Sequence, residues 1–185
     1  SSSLIFRAET AAPPPTTAQA KAVPLRVRNP HGVAAVHWPV TNGVPFPQGT
    51  LASADHVRLV RDGKEVLVQV QVTARWLDNS VKWILVSFLA DAQAGEEVEY
   101  TLEYGQAVRR ALAGRPLVTR RGDTLELQTS SGTFTVSPGG ELLLPDGKPC
   151  RTTIRGIGGA VQSGGKAQVT IEENGPVRAV VKTVS

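Results

Sequence analysis

Side chains that could abstract a proton or stabilise an anion are few in this 185-residue chain and stand far apart. Removing a proton next to a carboxylate needs a base, and the resulting enolate needs a cation close by. His37 alternates with Val36 and Trp38, as a residue in a strand would, and His56 lies in a predicted turn. No spacing is diagnostic, so we predict no catalytic residues. The candidates of suitable type are His31, His37, His56, Arg75, Lys82, Tyr100 and Tyr104.

Metal and cofactor motifs are also missing from the sequence. There is no His-x-x-x-His, no cysteine pair and no dense Asp/Asn loop, so neither a metal nor a cofactor is predicted. The single Cys150 is interpreted as a packing or solvated side chain rather than a nucleophile. Glycine-rich Gly156 to Gly165 lacks the Lys-Ser/Thr ending of a phosphate loop, and a mobile loop is predicted there.

The charge pattern limits the possible partners. The net charge is +4, but the 20 basic residues are scattered singly or in pairs, without the concentrated basic stripe of a nucleic-acid-binding protein. We therefore predict no nucleic-acid partner and a weak attraction to an acidic polysaccharide. The longest apolar run, from Ile84 to Ala90, is far shorter than the roughly 20 residues that cross a bilayer, so no transmembrane segment is predicted.

Three regions are distinguished along the chain. Residues 1–22 are a tail whose proline-, alanine- and threonine-rich part is predicted to be an extended linker. Residues 23–115 are predicted to be a β-barrel domain, and residues 116–185 are further strands that complete it or begin a second sheet. The chain contains no methionine, so we expect either a removed leader or excision from a longer protein. An extracellular, periplasmic or cell-surface location is the corresponding expectation.

Period-two alternation predicts an all-β fold. Val66, Val68, Val70 and Val72 alternate with Leu67, Gln69 and Gln71. Val98, Tyr100, Leu102 and Tyr104 alternate in the same way with three glutamates and Thr101. Turn dipeptides such as Asp62-Gly63 separate these runs and favour hairpins. The fold class is therefore an antiparallel barrel or sandwich of short strands with a proline-rich N-terminal tail. A helical turn is predicted only at Gln106 to Ala113.

Two stretches are too unusual for ordinary strands and suggest a family. One is Pro39-Val40-Thr41-Asn42-Gly43-Val44-Pro45-Phe46-Pro47-Gln48-Gly49-Thr50-Leu51, and the other is Arg75-Trp76-Leu77-Asp78-Asn79-Ser80-Val81-Lys82-Trp83. At these residues the chain resembles the N-terminal RIFT-type β-barrel domain of exo-rhamnogalacturonan-lyase-like (PcRGLX/YetA-like) proteins. The later stretch Glu173 to Val181 is similar too, and Asn79 stands where the family pattern has glycine.

The resemblance implies a carbohydrate-associated role without catalysis in isolation. Such proteins are several times longer, and their further β-sandwich and helical-toroid regions would hold most of a lyase active site. The chain is therefore expected to be an accessory domain of an exported polysaccharide-lyase-like protein, at most a fragment of the enzyme.

The three tryptophans have two interpretations. Trp38, Trp76 and Trp83 can be packing residues, with Trp83 predicted as a core member because it precedes the apolar run from Ile84. Alternatively, aromatic faces stack on a pyranose while a basic side chain pairs with a uronate. The tentative carbohydrate-binding residues on this second interpretation are Trp38, Arg75, Trp76 and Lys82.

A structural role is the alternative function. The apolar residues Leu4, Ile5 and Phe6 on a proline spacer have the layout of a donor strand, which would add to an open sheet edge of a neighbouring copy. Self-association through the N-terminal tail does not close on itself, so it would produce extracellular filaments.

Overall fold

Sixteen short strands build the described part of the chain. In the computed structural model the described residues are 20–150, 153–155, 157–159, 161–163 and 167–184. The strands are β1 (Lys21–Arg28), β2 (Ala35–Pro45), β3 (Val57–Arg61), β4 (Lys64–Val66), β5 (Val68–Arg75), β6 (Val81–Ala92), β7 (Glu97–Tyr104), β8 (Val118–Arg121), β9 (Thr124–Thr129), β10 (Gly132–Val136), β11 (Leu142–Leu143), β12 (Pro149–Cys150), β13 (Thr153–Arg155), β14 (Val161–Ser163), β15 (Gln168–Asn174) and β16 (Ala179–Val184).

The first seven strands form two antiparallel sheets around one apolar core. One sheet has the order β1-β7-β3-β4 and the other β2-β6-β5. Their inward faces supply the residues that the alternation predicts, such as Val98 and Leu102 on β7 and Val86 and Phe88 on β6, all buried. Burying each such side chain contributes about 1.5–3 kcal/mol. The prediction of an all-β antiparallel fold is confirmed.

The outward face of β7 is acidic and solvated, as its sequence predicts. Glu99 forms an ion pair with Arg26 of β1 at 3.2 Å, and Glu103 forms one with Arg58 of β3 at 2.6 Å. Each glutamate thus bridges β7 to a different neighbour. Each cross-strand pair of this kind contributes about 0.2–1 kcal/mol to the stability of the sheet and favours the observed register.

A second, smaller apolar cluster follows the barrel. Strands β8 to β12 form a sheet in the order β12-β11-β10-β9-β8, and β15 pairs with β16. The buried residues of this second apolar cluster are Val118, Leu125 and Val136, and Val169 and Val181 pack against them. The β15–β16 hairpin therefore shares a core with the five-stranded sheet.

One side chain joins this region to the barrel. Gln69 on β5 donates to Glu173 at 2.5 Å and accepts from the backbone amides of Val177 and Arg178 at 3.1 and 2.9 Å. A side chain at Gly175 would collide with the Gln69 amide, so glycine is required at that position. The third stretch of the family resemblance thus docks on the side of the barrel.

The predicted helical turn at Gln106 to Ala113 is wrong. After one turn closed by the Val108 amide on the Gly105 carbonyl, the chain runs without regular structure. The Glu65 carboxylate accepts from the amides of Ala111 and Leu112 at 2.9 Å each, so these amides have no helical partner. A short 3₁₀ helix that the sequence did not suggest lies instead at Ala54–His56.

Several predictions fall outside the described residues. Leu4, Ile5 and Phe6 lie in the undescribed N-terminal segment, so the donor strand stays a prediction. Part of the glycine-rich stretch at 156–165 also lies outside them. Within the described ranges, no helix has the length and apolar character needed to cross a membrane.

Candidate functional site

The two unusual stretches meet at one end of the barrel, here called the closed end. Hydrogen bonds connect the irregular segment after β2 to the β5–β6 hairpin. Two of them join backbone groups, and one is made by a side-chain hydroxyl. Because the bonded groups belong to both stretches, each depends on the other for its conformation. The bonds are Phe46 N to Lys82 O at 2.9 Å, Val81 N to Leu51 O at 2.7 Å, and Gly49 N to the Ser80 hydroxyl at 2.9 Å.

The hairpin turn is closed by its own polar side chains. Trp76 and Ser80 share a backbone bond of 2.9 Å, and Asn79 takes the left-handed conformation with φ of 65°. Asp78 accepts from the Ser80 hydroxyl at 2.6 Å and from the Ser80 amide at 3.0 Å. Hydrogen bonds from the Ser80 side chain, and then from its backbone, hold the pKa of Asp78 below its ordinary value. Asparagine satisfies the turn where the family pattern has glycine.

The Trp76 side chain makes its contacts within the closed end. Its indole Nε1 donates to the Phe46 carbonyl at 3.0 Å, and Lys82 Nζ lies 4.4 Å from the centre of its ring. Arg75 donates to the Asn79 carbonyl across the turn at 2.8 Å. Three of the four predicted carbohydrate-binding residues therefore lie together, but their polar atoms serve the hairpin itself.

Trp83 is not a core residue, and that prediction is wrong. Trp83 is 41% exposed because the following residue, Ile84, faces the core, and adjacent residues of a strand point to opposite faces. The indole lies over Gly43 of β2, where an added Cβ would come within 2.7 Å of Nε1. Gly43 therefore makes room for the outward-facing ring.

Trp38 lies at the opposite, open end of the barrel and is 58% exposed. It borders a groove of about 350 Å³, which is near the small end of the range for ligand sites. Small and apolar side chains form much of the groove, including Val33, Ala35, Val36 and Ala92. Exposed apolar surface concentrated in one concave place is typical of a binding site.

A β-bulge sets the direction of Trp38. Strand β2 advances from Ala35 to Trp38 while β6 moves only from Ala92 to Ala90, so β2 carries one extra residue. The bulge contains His37, whose φ of 48° is unusual for a side chain of that size. The Asp91 carboxylate accepts from the His37 amide at 2.6 Å and holds this conformation.

The loop that walls the groove is fixed by Asn29, which is 5% exposed. Its side-chain amide donates to the carbonyls of Val33, Gln93 and Ala92 at 2.8, 2.9 and 3.3 Å. Its oxygen accepts from the His31 amide at 3.1 Å. The groove is therefore formed in advance of any ligand.

Basic side chains lie on the rim of the groove. Arg28 and His31 both border it and are exposed. Within the described ranges, Arg28 forms no ion pair. The rim thus has a fixed positive charge that is available to an acidic ligand.

The structure separates the predicted carbohydrate-binding residues into two groups. Trp38 pairs with Ala90 and Pro45 pairs with Trp83, seven residues apart along β2. At about 3.3 Å per residue the two ends are about 23 Å apart. Trp38 therefore cannot share one sugar ring with Arg75, Trp76 and Lys82.

The other side chains considered for chemistry have packing roles. Tyr100 is buried with Arg61 Nη1 3.2 Å from its hydroxyl, and Tyr104 packs edge-on against Phe46 with centroids 4.9 Å apart. Within the described residues, no group of His, Cys, Asp and Glu is placed to hold a metal ion. The concave feature beside Trp38 is therefore described by its shape and its lining residues.

Sequence reasoning missed the two residues that shape this groove, Asn29 and Asp91. Asn29 precedes Pro30, and Asn-Pro is a turn signal that marked the loop without indicating its burial. Asp91 closes an apolar strand and carries no local signal, because its partner is 54 residues away.

Residues 24–105 match the family model described as the PcRGLX-like N-terminal RIFT barrel domain. No curated protein matches the chain. An alpha-mannosidase from Enterococcus faecalis V583 is structurally similar with a TM-score of 0.53 and 16% identity, over 86% of this chain and 23% of that one. A protein of glycosyl hydrolase family 38 from Enterococcus faecalis has a TM-score of 0.42 and 15% identity, over 88% and 24%.

At such low identity the mannosidase likeness concerns the fold alone, and this chain spans about a quarter of the length of those proteins. The family match covers both unusual stretches and all of β1 to β7 except the first three residues of β1. The resemblance predicted from the sequence is therefore confirmed for residues 24–105, which match the model of the PcRGLX-like N-terminal RIFT barrel domain.

Proposed function

We propose that this chain is a non-catalytic carbohydrate-associated domain that binds an acidic polysaccharide in the open-end groove. The match to the PcRGLX-like family supports a role in a carbohydrate-active protein, since the sequence resembles exo-rhamnogalacturonan-lyase-like proteins at the same residues. The similarity of the fold to that of an alpha-mannosidase supports the same class of protein.

The observation that carries the proposal is Trp38. A flat, exposed indole can pack against the apolar face of a pyranose, and burying part of that ring supplies much of the binding energy. Because the bulge and Asn29 fix the surrounding backbone, binding needs little ordering of the protein. Arg28 on the rim favours a uronate over a neutral sugar, since it forms no ion pair within the described residues even though Glu97 lies opposite it on β7.

The test is calorimetric titration of the full chain with oligogalacturonates and with neutral oligosaccharides of matched length. We expect the acidic series to bind more tightly, and Trp38→Ala to weaken that binding at least tenfold, about 1.4 kcal/mol. Arg28→Gln should weaken the acidic series alone.

Trp83→Ala is the matched control, because it removes another partly exposed indole that lies outside the groove. Its affinity should equal that of the wild type. Absence of binding across acidic and neutral glycans would overturn the proposal, as would equal losses in the Trp38 and Trp83 variants.

A further inference from the structure

A second concave surface lies on the side of the barrel, away from the open-end groove. This side cleft has a volume of about 500 Å³. One wall is the start of β5 and the 3₁₀ helix, and the other is the loop after β7 together with Pro176. Its charged lining residues are Asp55, Arg109 and Arg110.

Arg109 is held rigidly at the edge of this cleft. Its Nη1 donates to the carbonyls of Gln106 and Val108 at 2.6 and 2.8 Å, and lies 2.5 Å from His56 Nδ1. The same His56 Nδ1 also lies 3.3 Å from the Val108 carbonyl. The other two guanidinium nitrogens of Arg109 have no hydrogen-bond partner within the described ranges.

The charges in the cleft are not balanced. Arg110 faces Asp55 at 3.6 Å, a long contact in which the carboxylate side chain is 84% exposed. Among the residues that the structure describes, Arg109 has no carboxylate partner at all. Two guanidinium groups and one weakly held carboxylate leave the lining with one net positive charge.

Both walls are anchored before any ligand arrives. The loop is fixed by the Glu65 carboxylate, which accepts from the amides of Ala111 and Leu112. The Pro176 wall is fixed because Gln69 holds the next two amides, as described above. An arginine already tethered on a rigid wall loses little side-chain entropy when it binds a second group.

We propose that the side cleft binds the carboxylate of an acidic sugar, with Arg109 as the principal contact and Arg110 as its second donor. The planar, multi-donor edge of a guanidinium matches a carboxylate in a bidentate arrangement. This inference rests on the proposed function, since it gives the same acidic ligand a second contact that the Trp38 groove does not provide.

The test is a chemical-shift titration of the full chain with D-galacturonate, and with D-galactose as the neutral counterpart. We expect saturable shifts at Arg109 and its neighbours with galacturonate only. Arg109→Gln should raise the dissociation constant for galacturonate about tenfold. The dissociation constant of Arg109→Lys should lie between those of the wild type and Arg109→Gln, because lysine keeps the positive charge but lacks the paired N–H donors of the guanidinium.

Arg120→Gln is the control, because Arg120 is exposed and lies outside the cleft. The thermal unfolding of every variant is measured to check that each substitution leaves the chain folded. If Arg109→Gln unfolds, the affinity of Arg109→Lys for galacturonate is used in its place. Equal effects of Arg109→Gln and Arg120→Gln, or equal binding of galactose, would overturn the inference.

The two proposals fail differently. If oligogalacturonate binding depends on Trp38 while Arg109→Gln leaves galacturonate shifts unchanged, the cleft inference is wrong and the proposed function stands. If no oligosaccharide binds but galacturonate shifts still depend on Arg109, the groove assignment is wrong and the cleft stands.

Discussion

Both ends of the barrel carry tryptophans, and Trp76 at the closed end and Trp38 at the open end are used in opposite ways. At the closed end, Trp76 donates to the Phe46 carbonyl and is covered by Lys82. At the open end, Trp38 has no hydrogen-bond partner within the described residues and more than half of its surface meets solvent. One indole stabilises the fold, and the other is available to a ligand.

An unusual sequence therefore does not by itself indicate which end has side chains free to contact a ligand. The two long stretches that carry the family resemblance meet at the closed end, yet the polar groups there bond one another. The open end depends on residues of ordinary appearance, namely Asn29, His37 and Asp91. Substitutions at the two ends should therefore separate stability from binding.

The largest expected effect is on stability at the closed end. Phe46 is 2% exposed and packs on Tyr104, so Phe46→Ala should lower the free energy of unfolding by about 3–5 kcal/mol. Urea denaturation followed by circular dichroism measures the loss. Val36→Ala, at the exposed open end, should stay within about 0.5 kcal/mol of the wild type. Similar losses in both variants would remove the distinction between the ends.

A smaller effect is expected from the Trp76 hydrogen bond alone. Trp76→Phe keeps an aromatic ring but removes the indole donor, which leaves the Phe46 carbonyl without that partner. The free energy of unfolding should fall by about 1–2 kcal/mol. Trp83→Phe is the control, since the Trp83 indole makes no hydrogen bond within the described part of the chain. Oligosaccharide affinity should be unchanged in both, and a loss of affinity in Trp76→Phe would place the ligand at the closed end.

The smallest effect concerns pH. The pKa of Asp78 in the folded chain lies below its ordinary value of 3.8, chiefly because the Ser80 hydroxyl donates to it. Its contribution to stability is therefore complete above pH 3.8 and is lost as the pH falls through the lowered folded value. The difference in melting temperature between the wild type and Asp78→Asn should shrink between pH 6 and pH 2.5. A difference that stays constant across this range would contradict the assignment.

The strands of the barrel could be predicted from the sequence, and the direction of some side chains could not. Polar residues alternate with apolar ones in β5 and β7, so the inward face is evident. In β6 large apolar residues occur on both faces of the strand. The sequence therefore predicts Trp83 in the core, whereas the structure has Ile84 there. The helical turn at 106–113 failed because its amides bond to Glu65 on another strand, a contact with no local signal.

The candidate site was predicted only in part for the same reason. Trp38 stood out by its residue type, and the sequence grouped it with Trp76 because both lie in aromatic stretches. Only the register of β2 on β6 places them at opposite ends. The groove beside Trp38 depends on bonds between residues some 54 to 64 positions apart, which no spacing rule reveals.

The three indole N–H signals give the most direct test of the contrast between the ends. Each is assigned by its own Trp→Phe variant, and oligogalacturonate is then titrated into the wild-type chain while their chemical shifts are followed. We predict that the Trp38 signal moves saturably while the Trp76 signal, bonded to the Phe46 carbonyl, stays in place. Movement of the Trp76 signal with Trp38 unaffected, or no movement of any signal, would contradict binding at the open end.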